Sequence, residues 1–83
     1  MKTAYTKHAL EKLIRPDVKK FKITKTLVQK IVLKPRSTSI TYTGSYAALG
    51  TLTASHDLRV IYDIIEGNIK VITFHVARKG RYL

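Results

Sequence analysis

The sequence predicts an α+β domain in which two N-terminal helices pack on one face of a mostly antiparallel, four-stranded sheet. Residues 1–35 are rich in Lys and Leu, with apolar residues at helical spacing. The residues after 36 are rich in Thr, Tyr, Val and Ile and alternate as strands do. Short turns separate the strands, which favours antiparallel neighbours. Because no linker-like stretch separates the halves, we expect a single domain over residues 1–83.

Each predicted helix has an N-cap residue, a narrow apolar stripe and a proline near its end. Thr6 caps the first helix, which should end or kink before Pro16; its stripe is Ala9, Leu10, Leu13 and Ile14. Thr24 caps the second helix, which ends at Lys34–Pro35; its stripe is Leu27, Val28, Ile31 and Val32. Narrow stripes indicate that each helix covers one face of another element.

The sheet is predicted from four segments, residues 39–43, 46–53, 57–63 and 69–76. Segment 57–63 alternates most clearly: one face has Leu58, Val60 and Tyr62, and the other has Asp57, Arg59, Ile61 and Asp63. Turns are predicted at Gly44–Ser45 and at residues 66–68. Segment 69–76 is almost continuously apolar, which is typical of a central strand. Residues 77–83 are expected to leave the sheet as a tail.

Charge and composition restrict the partners. The 83-residue chain has a formal net charge of +11, which favours nucleic acid or an acidic protein as a partner. Cysteine is absent, which excludes disulfides, thiolate catalysis and Cys-based zinc sites. No apolar run approaches the roughly 20 residues that span a bilayer, and the first five residues lack the apolar stretch of a signal peptide. We therefore expect a cytoplasmic protein that makes no membrane contact.

A cluster of cations surrounds the second predicted helix. From this cluster Lys20, Lys25 and Lys30 are the predicted nucleic-acid contacts. Lysines that neutralise phosphates release counterions, which gives affinity without sequence choice. A solvated charged helix face is the alternative interpretation.

A second set of candidates lies in the sheet and the tail: Arg59, His75, Arg78, Arg81 and Tyr82. Arg59 interrupts an apolar strand, so it either pairs with Asp57 or Asp63 on its own face or points into a basic groove that His75 also reaches. RNA cleavage needs a cation for the phosphate, a base for the 2′-hydroxyl and an acid for the 5′-oxygen. Arg, His, Lys and Tyr can supply these roles without a metal.

Metal binding has weak support in the sequence. His8 and Glu11 lie three residues apart and can face the same way on the first helix, but no second such pair exists. A surface ion pair or a capping histidine explains them equally well. We therefore predict no metal and no other cofactor.

Several short segments together form a pattern that is found in a known family. They are residues 5–13, the capped helix that ends at Pro35, Leu58–Tyr62, Val71–Phe74 and the closing residues 78–82. This pattern resembles the RelE/ParE superfamily of bacterial and archaeal toxins, and within it the BrnT-like branch, whose members often open with a Thr-Lys-His-Ala-Leu helix. The resemblance implies two helices on a curved antiparallel sheet and a small, basic, cytoplasmic protein.

The resemblance also implies roles for individual residues. Arg59 matches the arginine that stabilises the scissile phosphate in nuclease members, and His75 resembles a late-strand acid or base. Arg78 or Arg81 matches an arginine near the carboxyl end, and Tyr82 matches a terminal tyrosine used in stacking or proton transfer. His8 marks the closer branch without an assigned role. The middle-strand lysine pair and the glutamate base of other members have no clear match here.

Two functional hypotheses follow. The first is the toxin of a type II toxin–antitoxin pair, a metal-independent endoribonuclease that cuts messenger RNA, often on the ribosome, and is held inactive by an acidic antitoxin. Its predicted catalytic residues are Arg59, His75, Arg78 and Tyr82, and Arg81 binds the RNA backbone. The second is a non-catalytic basic module that binds nucleic acid or an acidic protein, including a gyrase-directed toxin. The sequence indicates no particular oligomeric state.

Overall fold

The computed structural model describes residues 2–82 and is built from one five-stranded sheet and three short helices. In chain order the elements are β1 (Thr3–Tyr5), α1 (Lys7–Leu13), α2 (Pro16–Lys19), α3 (Lys25–Leu33), β2 (Ser37–Ile40), β3 (Tyr46–Thr51), β4 (His56–Ile65) and β5 (Asn68–Arg78). The strand order is β1-β5-β4-β3-β2, and every neighbouring pair except β1 and β5 is antiparallel. The α+β class is confirmed, whereas the predicted counts of four strands and two helices are wrong.

The additional strand is β1, which pairs in parallel with the start of β5. Two backbone hydrogen bonds flank this pairing: Ile69 N–H donates to the carbonyl of Lys2, and Thr6 N–H donates to the carbonyl of Val71, each over 2.9 Å. A three-residue strand is too short to show an alternating pattern, so only the tertiary contact with β5 defines it.

The additional helix is α2, and it begins at the proline that was expected to end or kink the first helix. Proline suits the first helical position because its missing N–H would be unpaired there anyway, and its fixed φ is already helical. Arg15, the residue before it, is extended, as a residue before proline usually is. Pro16 therefore separates two helices.

The helices described here are at most nine residues long, and none of them could cross a bilayer.

Both predicted N-caps are confirmed. The hydroxyl oxygen of Thr6 accepts a hydrogen bond from the Ala9 N–H over 3.1 Å, and that of Thr24 accepts one from the Leu27 N–H over 3.2 Å. Each bond satisfies a backbone donor that has no partner inside its helix. Helix α3 ends at Leu33, just before the predicted Lys34–Pro35 boundary.

The core forms between the helices and one face of the sheet, here called the helix face. β4 contributes Leu58, Val60 and Tyr62 to it, as the alternation predicts. α3 comes so close to β3 that a Cβ added at Gly50 would lie 2.7 Å from Cγ1 of Ile31. The opposite face, here called the Arg59 face, has the side chains of Leu49, Arg59 and His75, which the strand register places opposite one another.

An irregularity in β5 determines which of its residues reach each face. Ile61 pairs with Thr73 and Tyr62 pairs with Val71, so Ile72 is an extra residue. The Thr6 hydroxyl donates a 2.7 Å hydrogen bond to the carbonyl of Ile72, which satisfies this bulged residue. Because of the bulge, both Val71 and, three residues later, Phe74 are fully buried in the core. The residue after Phe74 is His75, which therefore lies on the Arg59 face.

The predicted strand bounds are shifted by a few residues at several ends. β2 begins and ends earlier than the predicted segment 39–43, and β3 ends at Thr51 instead of residue 53. β5 continues to Arg78, so Ala77 and Arg78 belong to the sheet and the tail begins at Lys79. Such differences follow from hydrogen bonding to neighbouring strands, which local sequence patterns do not encode.

Candidate functional site

Four residues form a straight row across the Arg59 face. Ser37 pairs with Leu49, Leu49 pairs with Arg59, and Arg59 pairs with His75. Residues directly opposite each other on neighbouring strands point to the same face. With strands about 4.8 Å apart, the row spans about 14 Å from β2 to β5. From β5 to β2, the register therefore places an imidazole, a guanidinium, an apolar side chain and a hydroxyl side by side.

The tail returns over this row. The N–H of Arg81 donates to the carbonyl of Arg78 over 3.1 Å, and Gly80 adopts a φ of +92° that glycine readily allows. This turn places the ring of Tyr82 over Arg59, with 4.5 Å between the guanidinium carbon and the ring centroid. The ring centroids of Tyr82 and His75 are 6.1 Å apart. Tyr82, Arg59 and His75 thus lie in one cluster.

Asp57 does not neutralise Arg59. Its carboxylate oxygens instead accept hydrogen bonds from the two terminal nitrogens of Arg36, over 2.9 and 2.7 Å. Within residues 2–82, Arg59 forms no ion pair with any acidic side chain, including Asp63. The alternative in which an acid on the same face occupies Arg59 therefore does not hold for the described part of the chain.

The environment of His75 favours its neutral form. Burial lowers the pKa of His75 below its ordinary value of 6.5, and the charges of Arg59, Lys12 and Arg81 lower it further. At neutral pH the ring is therefore unprotonated and can accept a proton. This is the state that a general base requires.

Lys12 is a neighbour of His75 that the sequence analysis did not single out. Its Nζ lies 3.4 Å from the hydroxyl oxygen of Thr73 and 5.6 Å from the ring centroid of Phe74. Burial is the main cause that lowers the pKa of Lys12, and the charge of Arg15 adds to it. The sequence around Lys12 contains no signal for this position; only the docking of α1 beside β5 brings the side chain here.

A groove of about 370 Å³ lies between α1, α2 and the edge of β5; Lys12, Lys20 and His75 line it, together with Arg15 and the Asp17 carboxylate that pairs with Arg15. Of the three predicted lysine contacts, Lys20 therefore shares a surface with the site. Lys25 and Lys30 are exposed residues of α3, which packs on the helix face. The predicted lysine cluster is thus divided between two surfaces.

Two other predicted residues lie away from the cluster. Arg78 is exposed and pairs with His56, and strand alternation directs its side chain to the opposite face from His75. His8 is exposed on α1, where Glu11 lies 4.0 Å from Lys7. Within residues 2–82, no group of three or more His, Asp or Glu side chains is arranged to hold a metal ion.

A second groove, of about 310 Å³, adjoins Arg59 on the β2 side of the row. Its lining residues are Ser37, Thr38, Ser39, Ala47, Leu49, Arg59, Arg81 and Tyr82. Neither the serines nor Ala47 and Leu49 were predicted from the sequence as part of a site. Their contribution depends on the register of β2 against β3, and Ser37–Ile40 contains a single apolar residue, too few to predict that register.

Comparisons of the chain with protein-family models, with curated proteins and with solved structures find no match. The site consists of an arginine without an acidic partner among the described residues, a neutral imidazole beside it, an aromatic ring above it and flanking cationic grooves. Such a set of groups suits an anionic ligand that also has flat rings.

Proposed function

We propose that this chain is the toxin component of a type II toxin–antitoxin system and acts as a metal-independent endoribonuclease on messenger RNA. The observation that supports this most directly is the pairing of Arg59 with His75 on adjacent strands, under the ring of Tyr82. Together these groups match the three needs of RNA phosphoryl transfer: charge stabilisation, a base and an acid.

In the proposed reaction, Arg59 donates hydrogen bonds to the non-bridging oxygens of the scissile phosphate. Neutral His75 accepts the proton of the 2′-hydroxyl as the 2′-oxygen bonds to phosphorus. The bond from phosphorus to the 5′-oxygen breaks, and the Tyr82 hydroxyl donates a proton to that oxygen. The products are a 2′,3′-cyclic phosphate and a 5′-hydroxyl end, so atoms and protons balance without an added reactant.

The surrounding cations would hold the RNA backbone. Lys12 and Lys20 extend the positive surface from His75 along the edge of β5, and Arg81 extends it on the other side of Tyr82. Lys25 and Lys30 would contact a further part of the RNA, such as ribosomal RNA, from the helix side. An acidic antitoxin would bind the same positive surfaces and cover them.

A non-catalytic basic module is the second candidate, and the position of Lys25 and Lys30 favours it. These exposed cations lie on α3, away from the Arg59 row, so they could bind nucleic acid or an acidic protein without any contribution from His75. This class includes a gyrase-directed toxin. It predicts that growth inhibition is independent of RNA cleavage.

The deciding experiment is expression from a tightly controlled promoter, with messenger RNA ends mapped at single-nucleotide resolution. We expect the wild-type chain to arrest growth and to create new RNA ends, and Arg59→Ala at equal soluble protein to do neither. Lys70→Ala, which removes an exposed cation elsewhere on β5, is the matched control and should remain active. RNA that stays intact with the wild-type chain, or an active Arg59→Ala variant, contradicts the nuclease.

A further inference from the structure

The groove on the β2 side of Arg59 has the features of a subsite for one nucleobase. Leu49 and Ala47 form an apolar floor on the face that the helices do not cover, although neighbouring side chains already cover most of both, which are 5 % and 3 % exposed. Ala47 and the two serines are small, so the groove keeps a volume of about 310 Å³. This is at the small end of the range for ligand pockets.

Hydroxyl groups form the edge of the groove opposite Arg59. Ser37 pairs with Leu49 and Ser39 pairs with Ala47, so both hydroxyls point to the Arg59 face beside the apolar floor. A hydroxyl can both donate and accept a hydrogen bond. Such a pair suits the edge of a nucleobase, which presents donors and acceptors side by side.

The other end of the groove is cationic and aromatic. Arg59 and Arg81 have their guanidinium carbons 4.5 and 5.8 Å from the centroid of the Tyr82 ring. A ligand that fits the whole groove therefore needs an anionic group at Arg59 and a flat, partly polar ring over Leu49. A nucleotide has both groups. The sugar between its phosphate and its base can span the distance of about one strand that separates Arg59 from Leu49.

We propose that this groove binds one nucleotide of the RNA. The base lies over Leu49 with its polar edge at Ser37 and Ser39, and the adjoining phosphate lies at Arg59. The inference rests on the proposed function, because the ligand is a nucleotide unit of the cleaved RNA. It adds that β2 and β3 select the base next to the cut. Specificity then depends on the serine hydroxyls, since the apolar floor and Tyr82 accept any base face.

The probes for this subsite are the four ribonucleoside 3′-monophosphates, inorganic phosphate and the unphosphorylated nucleosides. Each is titrated into the isotope-labelled full chain while backbone amide resonances are followed by NMR. We expect at least one nucleotide to bind about fivefold or more tightly than inorganic phosphate, the factor that corresponds to the weaker end of base stacking. The amides of Ser37 and Leu49 should shift with that nucleotide and not with phosphate.

Two variants separate the base from the phosphate. Ser39→Phe fills the groove from an exposed edge strand, so it should weaken nucleotide binding to the level of phosphate and leave phosphate binding unchanged. Thr43→Phe places the same ring in the exposed β2–β3 loop and should bind like the wild type. Ser39→Ala keeps the groove open and should alter the ranking of the four bases.

The outcomes are distinct from those of the cleavage experiment. Selective nucleotide binding in a chain that leaves RNA intact would support the subsite and reject the nuclease. RNA cleavage combined with equal affinity for nucleotide and phosphate, or an unaffected Ser39→Phe variant, would reject the subsite alone. Tighter binding of a phosphotyrosine peptide than of any nucleotide would assign the groove to a protein ligand and overturn the inference.

Discussion

Asp57 and Arg36 form a bidentate ion pair in which the carboxylate is buried and the guanidinium is half-exposed. The same guanidinium donates to the hydroxyl oxygen of Thr51 over 3.1 Å, so the pair joins the start of β2 to β3 and β4. This contact keeps β2 in register beside Leu49. It also uses the acid that could otherwise have neutralised Arg59. The ion pair therefore stabilises the arrangement of the site without being part of it.

Removing this pair should destabilise the fold in a pH-dependent manner. The hydrogen bonds from Arg36 lower the pKa of Asp57 below its ordinary 3.8, against the opposing effect of burial. A depressed carboxyl pKa gives stability that is complete above about pH 4 and is lost as the pH falls through the folded-state pKa. We expect Asp57→Asn to lower the melting temperature clearly at pH 7.

The same variant should differ less from the wild type as the pH falls below 3.8, because the wild-type carboxyl becomes protonated as the pH falls through its lowered folded-state pKa. Thermal melts of both proteins over this range measure the effect. Asp17→Asn, which alters an exposed ion pair with Arg15, is the control and should change the melting temperature little. A loss of stability in Asp57→Asn that is constant with pH would show that packing, rather than charge, is responsible.

The titration of His75 should report on its cationic neighbours. Burial is the main cause of the lowered pKa of His75, and the charge of Arg59 is the next largest cause. Arg59→Gln should therefore raise the pKa of His75 without fully restoring its ordinary value. NMR titration of the ring protons measures this directly. Lys30→Gln removes an equal charge from α3 and should leave the His75 titration unchanged. Identical curves for Arg59→Gln and the wild type would place Arg59 too far away to act on the ring.

Binding to RNA should weaken steeply with salt, because cations dominate the interface. Each neutralised phosphate contributes about −0.7 to the slope of log affinity against log salt for single strands. Reversing Lys20, Lys25 and Lys30 to Glu should weaken binding to unrelated RNA sequences by similar factors. Fluorescence anisotropy at low and physiological salt provides the measurement. Affinity that is independent of salt would exclude a phosphate-dominated interface, and unchanged binding by the reversed variant would show a merely solvated helix face.

The local patterns of the sequence were sufficient for the elements with strong signals. Helix α3 has an N-cap and an apolar stripe, and strand β4 has alternating apolar residues. Both patterns are periodic in the sequence, so both elements could be predicted from it. The two side-chain faces of β4 followed for the same reason, but whether Arg59 would pair with an acid or lie in an open groove did not. The three residues of β1 and the four of α2 are stabilised by pairing and docking, which leave little local trace.

The composition of the site was harder to predict because it depends on register. The bulge at Ile72 shifts β5 by one residue, and only this shift puts His75 rather than its neighbour opposite Arg59. In the sequence Arg36 is one more cation beside the second helix, and only the fold pairs it with Asp57. Lys12 and Leu49 likewise join the site through helix docking and strand pairing, not through any motif of their own.

The core should be sensitive to truncation in proportion to burial. Phe74 is completely buried, and Leu27 packs against the core while remaining partly exposed. We expect Phe74→Ala to cost about 3–5 kcal/mol and Leu27→Ala about 2 kcal/mol or slightly more. Because a domain is typically stable by only about 5–15 kcal/mol, Phe74→Ala alone could unfold this one. Denaturant titration measures both, and an unshifted midpoint would place that residue outside the core.

The chemical role of Arg59 can be measured with purified protein on a short RNA. If its guanidinium stabilises the pentavalent phosphate, Arg59→Ala should slow cleavage by about a hundred- to a thousand-fold, the effect of removing one preorganised donor. Arg59→Lys keeps the charge but lacks the planar fork that contacts two phosphate oxygens, so we expect only partial recovery. Both variants should melt close to the wild-type temperature, because Arg59 forms no ion pair within residues 2–82 and is not part of the buried core. His75→Ala should slow cleavage while RNA binding is maintained. A fully active Arg59→Lys variant would reduce the role of the residue to that of a point charge, and a fully active Arg59→Ala variant would remove it from the mechanism.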